Sequence, residues 1–351
     1  MDAEPILHHY RVSDRAEVLD FLREVFPAHR AAQKIAQWTW QYESSPFTSE
    51  DGPAVNFIRV GGKLVGLSAG TRLRMWMGGI ECFGESRNDW IVHPDFRKQN
   101  LWRRAKALKA TESPILFGWS QRGPALYTRF KWVGDPVRPL IRILDAGPLL
   151  AHFARSGILA SVGTGVSHSM RIFTQPSRRN STVVRLDRFD ERADALWERA
   201  RHPSGAMIVR EHRYLNWRYC ERPDVPYFLY GAGRGAELEG FLVARVTTWR
   251  GMRWGYLVDF LAPENSPGIL SSLIAAALDE LRSLGAAGVA TFATDRTARR
   301  ALFRSGFLPL PQRNPVHFIR FIRSEQTELA KFVPFAPWYV TMGDGDFEML
   351  F

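Results

Sequence analysis

Residues 90–102 read WIVHPDFRKQNLW, and the fold is decided by how this stretch is read. An apolar run leaves through Val92-His93-Pro94, Arg97 and Lys98 stand at the exit, and apolar positions resume at Leu101 and Trp102. Leu101, Trp102, Ala105 and Leu108 fall at helical spacing, and the segment closes before Ser113-Pro114. The stretch therefore predicts a strand, a short cationic loop and the start of a helix. A helix start leaves about four N–H groups without intrahelical partners and carries partial positive charge. With Arg97 and Lys98 beside it, such a start suits a pyrophosphate.

Working outward, the rest of the chain bounds what this loop can belong to. At 351 residues it is long enough for two ordinary domains. Hydrophobic residues at 45% and charged residues at 24% describe a globular protein. The first residues, MDAEPILHHYRV, lack the basic and apolar regions of a signal peptide. The most apolar stretch, residues 268–292, is broken by Asp279, Glu280 and Arg282, so no membrane span is expected. Two cysteines, Cys82 and Cys220, support neither a disulfide framework nor a cysteine-based zinc site. The histidines show no ligand spacing, so no metal is expected. These features together predict a cytoplasmic protein. The net charge of +11 is spread along the chain, apart from Arg97, Arg103, Arg104, Lys106 and Lys109 around the one loop.

An internal repeat sets the organisation. WQYESSP at Trp40–Pro46 is echoed by WRYCERP at Trp217–Pro223, both W-x-Y-x-x-x-P. After each copy come strands joined by glycine-containing turns, a strand ending at proline, a helix, a short apolar strand and another helix. In the second half Ile269, Leu270, Leu273, Ile274, Ala277, Leu278 and Leu281 mark an amphipathic helix. Helices at RAEVLDFLREVF and RADALWERA lead the two halves, and residues 154–181, rich in Gly, Ser and Pro, read as a connector. The expected limits are 1–153 for a first domain and 182–351 for a second. The fold class is α/β (α+β), each domain a mixed, mostly antiparallel sheet flanked by helices.

This arrangement resembles the GNAT superfamily of N-acyltransferases, present twice in tandem. In that family the fourth strand ends in a V-x-P-type exit and an Arg/Gln-x-x-Gly-x-Gly/Ala loop opens a helix, its amides holding the coenzyme A pyrophosphate. The matching segment here is Val92-His93-Pro94 followed by Arg97-Lys98-Gln99-Asn100-Leu101-Trp102. The resemblance implies that Ile91, Val92, Arg97, Lys98, Gln99, Asn100, Leu101 and Trp102 contact acetyl-CoA or another acyl-CoA. Two positions depart from the family: Asn100 stands for a glycine and Trp102 for a glycine or alanine. Asn tolerates the left-handed conformation best after glycine. Tyr127, five residues before Trp132, takes the place of the family's tyrosine five residues before a terminal Gly-Phe. In the second half Gly306-Phe307 is kept, but Leu302 replaces the tyrosine and no Gly-x-Gly loop is present, which implies a scaffold or acceptor-binding domain.

Acyl transfer to an amine needs support for an oxyanion and a proton for the departing thiolate. A backbone amide near Val92 suits the first and Tyr127 the second. Glu85 and Asp89 are candidate bases, and simple strand alternation puts these two on one face and Val92 on the other. Asp259 in YLVDFLAP is the counterpart of Asp89, which equally suits a structural role for both. His93 reads as a solvated turn residue. The expected reaction is acyl transfer to a small-molecule amine, by resemblance an amino sugar or specialised metabolite. The competing readings are an aminoacyl-tRNA-dependent transferase, which the charge favours, and a non-catalytic acyl-CoA or nucleic-acid binding module.

Overall fold

The computed structural model describes residues 4–104, 113–121, 127–154, 182–234, 236–310, 312, 315–323 and 325–345. The connector expected at 154–181 lies, beyond its first residue, outside them, as does most of the helix expected after Leu101. The first half contributes β1 (Ile6–His9), β2 (Val55–Val60), β3 (Lys63–Met77), β4 (Ile80–Val92), β5 (Ile115–Ser120), β6 (Val133–Pro136) and β7 (Leu140–Ile143). The second contributes β8 (Thr182–Leu186), β9 (Ala206–Ile208), β10 (Phe228–Arg234), β11 (Glu237–Trp249), β12 (Met252–Leu261), β13 (Gly288–Thr291), β14 (Leu308–Pro309) and β15 (His317–Ile322).

Two sheets result. The first has the order β1-β2-β3-β4-β5-β15-β6, with β9 added beside β3, and the second the order β14-β7-β13-β12-β11-β10-β8. The hairpins β3–β4 and β11–β12 correspond in their turns. Gly78 and Gly79 join β3 to β4 with φ of 57° and 100°, and Arg250 and Gly251 join β11 to β12 with φ of 49° and 78°. Two consecutive left-handed residues are what a tight hairpin of this hand requires. Each sheet also takes strands from the other half of the chain: the second takes β7, and the first takes β9, beside β3, and β15. β7 pairs with β13 and β14, and β15 pairs with β5 and β6. The periodicity of short strands carries no information about which sheet they join.

The repeated W-x-Y elements explain how the halves meet. The indoles of Trp40 and Trp217 stack with centroids 5.0 Å apart and planes inclined by 18°. Trp40 Nε1 donates to the Trp217 carbonyl at 2.7 Å, and Trp217 Nε1 donates to the Trp40 carbonyl at 3.0 Å. Both rings are buried in one apolar core that spans both sheets and includes Met75, Phe117, Val243 and Val258. Separate clusters pack helix Pro267–Ser283 on the second sheet and helices Arg15–Val25 and Ala28–Trp38 on the first.

Replacing a buried tryptophan by alanine costs about 3–5 kcal/mol, and partners that share hydrogen bonds are not additive. Trp40→Ala and Trp217→Ala are each expected to lower the urea midpoint strongly, and the double variant by less than the sum. Additive losses in a double-mutant cycle would show that the two rings act independently.

A candidate coenzyme site where two parallel strands part

In both halves one strand of the antiparallel meander turns parallel to its next neighbour and then leaves it. β4 pairs with β5 from Gly84–Ile115 to Arg87–Gly118, and β12 pairs with β13 from Trp254–Gly288 to Leu257–Thr291. Each pairing stops beside a register shift: β3–β4 slips between Ala69 and Gly70, leaving Asn88 over, and β11–β12 slips between Val243 and Ala244, leaving Val258 over. A bulge of this kind bends its strand and ends a ladder.

Beyond the bulge β4 keeps β3 on one side and, among the described residues, has no strand on the other. The His93 amide donates to the Val65 carbonyl at 2.9 Å, which fixes the alternation. Trp90 and Val92 therefore direct their N–H and C=O groups away from β3 and into the opening. These amides are where an oxyanion donor was expected.

The bulge corrects the reading of the carboxylates. Glu85 faces Arg72 and Asp89 faces Ala69, and those β3 positions lie on opposite faces. Glu85 thus shares its face with Arg87, Trp90 and Val92, while Asp89 lies with Ile91 on the other. Glu85 is buried, takes Arg87 Nη1 at 2.8 Å and accepts from Ser113 at 2.6 Å. Asp89 accepts from Lys34 at 2.5 Å and from the Tyr42 hydroxyl at 2.8 Å. Its counterpart Asp259 accepts from Arg210 at 3.1 Å and from the Tyr219 hydroxyl at 2.9 Å. Tyr42 and Tyr219 are the tyrosines of the two W-x-Y elements. The motif's tyrosine holds the strand's aspartate in each half, which is a structural use of both.

At the loop, a 3-10 turn spans Pro94–Phe96 and a helix begins at Leu101. Asn100 has φ of 51°, the left-handed conformation for which glycine is otherwise chosen. Leu101 and Trp102 are buried against Ile58, Val65 and Val92, and the Trp102 ring packs over Gly66. The Trp102 ring is therefore inside, fixing the helix to the sheet rather than standing over the loop. Arg97, Lys98, Arg103, Arg104 and Arg129 are exposed around Asn100, and none has a carboxylate partner among the described residues. Gln99 is half-buried at the turn. His93, expected in solvent, is buried instead: its Nε2 meets Glu24 at 3.1 Å and its Nδ1 accepts from the Asp95 amide at 3.3 Å. It caps the turn, a role that a distant partner such as Glu24 conceals from the sequence.

Tyr127 is buried beside Leu116 and Trp132, and its hydroxyl points to the Gly134 carbonyl on β6 at 3.4 Å. Burial raises its phenol above the ordinary value, and Asp135 adds to the shift. β15 and β5 lie between β6 and the opening, so the structure does not bring Tyr127 together with Asp89.

In the second half the opening is filled by the chain itself. Residues 338–343 run between the parted strands: Gly343 donates to the Val258 carbonyl at 2.8 Å, Tyr339 to the Phe260 carbonyl at 2.5 Å, and Thr294 to the Val340 carbonyl at 3.1 Å. A side chain at Gly343 would overlap the Tyr219 hydroxyl. Arg210, fully buried, secures this segment by bonding Asp259 and, at 2.8 Å, both oxygens of Asp344. Burial opposes the Arg210 charge, but the two carboxylates outweigh it and raise its pKa well above normal. Past this segment Gly345 lies against Trp119 and Ser86 of the first half. No group of three or more potential metal ligands occurs among the described residues, and no described helix is long and apolar enough to cross a membrane.

Solved structures share this fold. N-myristoyltransferase of Saccharomyces cerevisiae with bound myristoyl-CoA matches 91% of this chain and 82% of its own at 13% identity, with a TM-score of 0.56. A probable N-acyltransferase from Enterococcus faecalis matches over 91% and 72% at 10% identity, TM-score 0.59. A GCN5-related N-acetyltransferase from Kribbella flavida matches over 92% and 71% at 13% identity, TM-score 0.54. No protein-family model and no curated protein matches the chain by sequence. The chain has the GNAT fold twice in tandem.

Removing one partner of a buried ion pair costs about 3–5 kcal/mol, because the remaining charges stay desolvated. Arg210→Ala is expected to lower stability by that order and to expose the segment around Thr341 to limited proteolysis. An unchanged urea midpoint and cleavage pattern would show that Arg210 does not secure the tail.

Proposed function

We propose that this protein is an acyl-CoA-dependent N-acyltransferase with its coenzyme in the opening between β4 and β5 of the first domain. Acetyl-CoA or another acyl-CoA is the donor, and the acceptor is the amine of a small molecule. One observation carries the reading. The same parted strands occur twice, and among the described residues the copy that no segment fills is the one whose loop carries a left-handed residue, Asn100, and a set of exposed cations without carboxylate partners. The second copy, filled by residues 338–343, serves as scaffold.

On this reading Arg97, Lys98 and the amides around Asn100 hold the pyrophosphate. Val92 and Trp90 offer amides to the pantetheine arm and to the thioester carbonyl oxygen. The amine attacks the carbonyl carbon, the oxyanion rests on the backbone donor, and the C–S bond then breaks to release the thiolate. Tyr127 has its hydroxyl on the Gly134 carbonyl of β6, with β15 and β5 between it and the opening, and is not placed to protonate the thiolate. The thiolate takes instead the proton that the attacking nitrogen loses, relayed through solvent. Asp89 supports the bulge through Lys34 and Tyr42. Glu85, five residues from Trp90, is roughly 16 Å away along the strand and does not act as the base.

Calorimetric titration of CoA and acetyl-CoA into the purified protein tests the reading. A charged hydrogen bond contributes about 1.5–3 kcal/mol, so Arg97→Ala/Lys98→Ala is expected to weaken binding roughly tenfold or more. Absence of binding at millimolar CoA by the parent protein would refute the coenzyme site.

A further inference from the structure

We propose that the outer face of the helix Arg296–Arg304, in the second domain, is a docking surface for a single-stranded nucleic acid. The inference stands on this helix and does not depend on the coenzyme reading.

The helix reads RTARRALFR, and Ala298, Ala301 and Leu302 are buried in the core beneath the second sheet. Arg296, Arg300 and Arg304 recur every four residues and are exposed, so they form one row on the outer side. None of the three has a carboxylate partner among the described residues. Other surface arginines of this domain are neutralised: Arg185 meets Glu280 at 2.7 Å, Arg188 meets Glu221 at 2.7 Å and Arg192 meets Asp190 at 2.9 Å. Around the row the sequence supplies no acid for this, since residues 296–324 hold seven arginines and neither Asp nor Glu. Asp295, just before it, is engaged as the helix cap and accepts from the Ala298 amide at 2.7 Å. Like charges four apart destabilise a helix, and a polyanion removes that cost.

Four residues rise about 6 Å along a helix, close to the step between successive phosphates of an extended strand. Each planar guanidinium can hold two oxygens of one phosphate. Phe303 stands among the arginines, 42% exposed, with the Arg299 guanidinium 5.3 Å from its ring centroid. Arg299 is itself held by the Ala293 carbonyl at 3.1 Å, which steadies the ring. An unpaired base stacks on the exposed part of that ring while the phosphates beside it reach the row. A lipid surface would use the charges but would find one large apolar side chain on this helix to take up, Phe303. A duplex would keep its bases from the ring.

The test is fluorescence anisotropy on the full chain with labelled single-stranded RNA and DNA of mixed sequence, about 20 nucleotides long. The two strands are expected to bind alike, because phosphates and a base face are recognised and the 2′-hydroxyl is not. Three phosphate contacts make the affinity fall about twentyfold from about 50 to about 200 mM salt. Arg300→Gln/Arg304→Gln is expected to weaken binding about tenfold or more and to flatten that salt dependence. Phe303→Ala is expected to weaken it about fivefold or more with the salt dependence unchanged. Arg188→Gln/Arg192→Gln removes the same charge from paired positions and is expected to leave binding as it was. Circular dichroism and a urea midpoint check that each variant folds, and the arginine pair decides alone if Phe303→Ala does not. No binding of either strand at low salt would overturn the proposal. So would binding that survives Arg300→Gln/Arg304→Gln, binding lost equally in the Arg188→Gln/Arg192→Gln control, or tighter binding to the matching duplex or to phosphatidylserine vesicles than to the strands.

Discussion

The stacked pair Trp40–Trp217 is the contact on which the rest of the molecule depends. Each indole satisfies its N–H on the other's backbone carbonyl, so neither can be buried without its partner. The two rings come from the same position of the repeated motif, and the pair relates one half of the chain to the other. The contact also sets where the motif tyrosines reach. Two residues on from each tryptophan, Tyr42 and Tyr219 bond the aspartates beside the bulges of β4 and β12. The bulges in turn end the parallel ladders. The β4–β5 opening and the pair that joins the halves therefore belong to one mechanical unit.

One architecture has two fates because of a single segment. In the second half, residues 338–343 lie between the parted strands and satisfy β12 with one backbone amide, Gly343, and one side-chain hydroxyl, Tyr339. Asp344 is buried with them, and burial raises its pKa against the opposing pull of Arg210. A charge cluster of Arg210, Asp259 and Asp344 in the interior is expensive, and it is retained where it fixes position. Here it fixes a tail whose next residue touches Trp119 and Ser86 of the first half. The same stretch of backbone fills the opening of one half and borders that of the other.

Much of this was legible in the residues. The V-x-P exit, the cationic loop and the left-handed Asn100 follow from local rules, since proline, charge and asparagine each act on their own neighbours. The hairpins follow from their glycine turns, and the paired aspartates from the repeat. What failed to be legible depends on partners distant in the chain. Alternation placed Glu85 and Asp89 together, and one extra residue at Asn88 turned them to opposite faces. His93 looked solvated because Glu24 is 69 positions away.

The sequence by itself determined the order of elements, the duplication and the place of the loop, because period, turn chemistry and repetition are properties of adjacent residues. Only the tertiary structure decided that β7 and β15 exchange sheets, that residues 338–343 fill the second opening, and that Tyr127 lies over β6. Those outcomes are set by long-range pairing, where several strands of similar composition compete for the same edges and the winner is chosen by how the whole core closes.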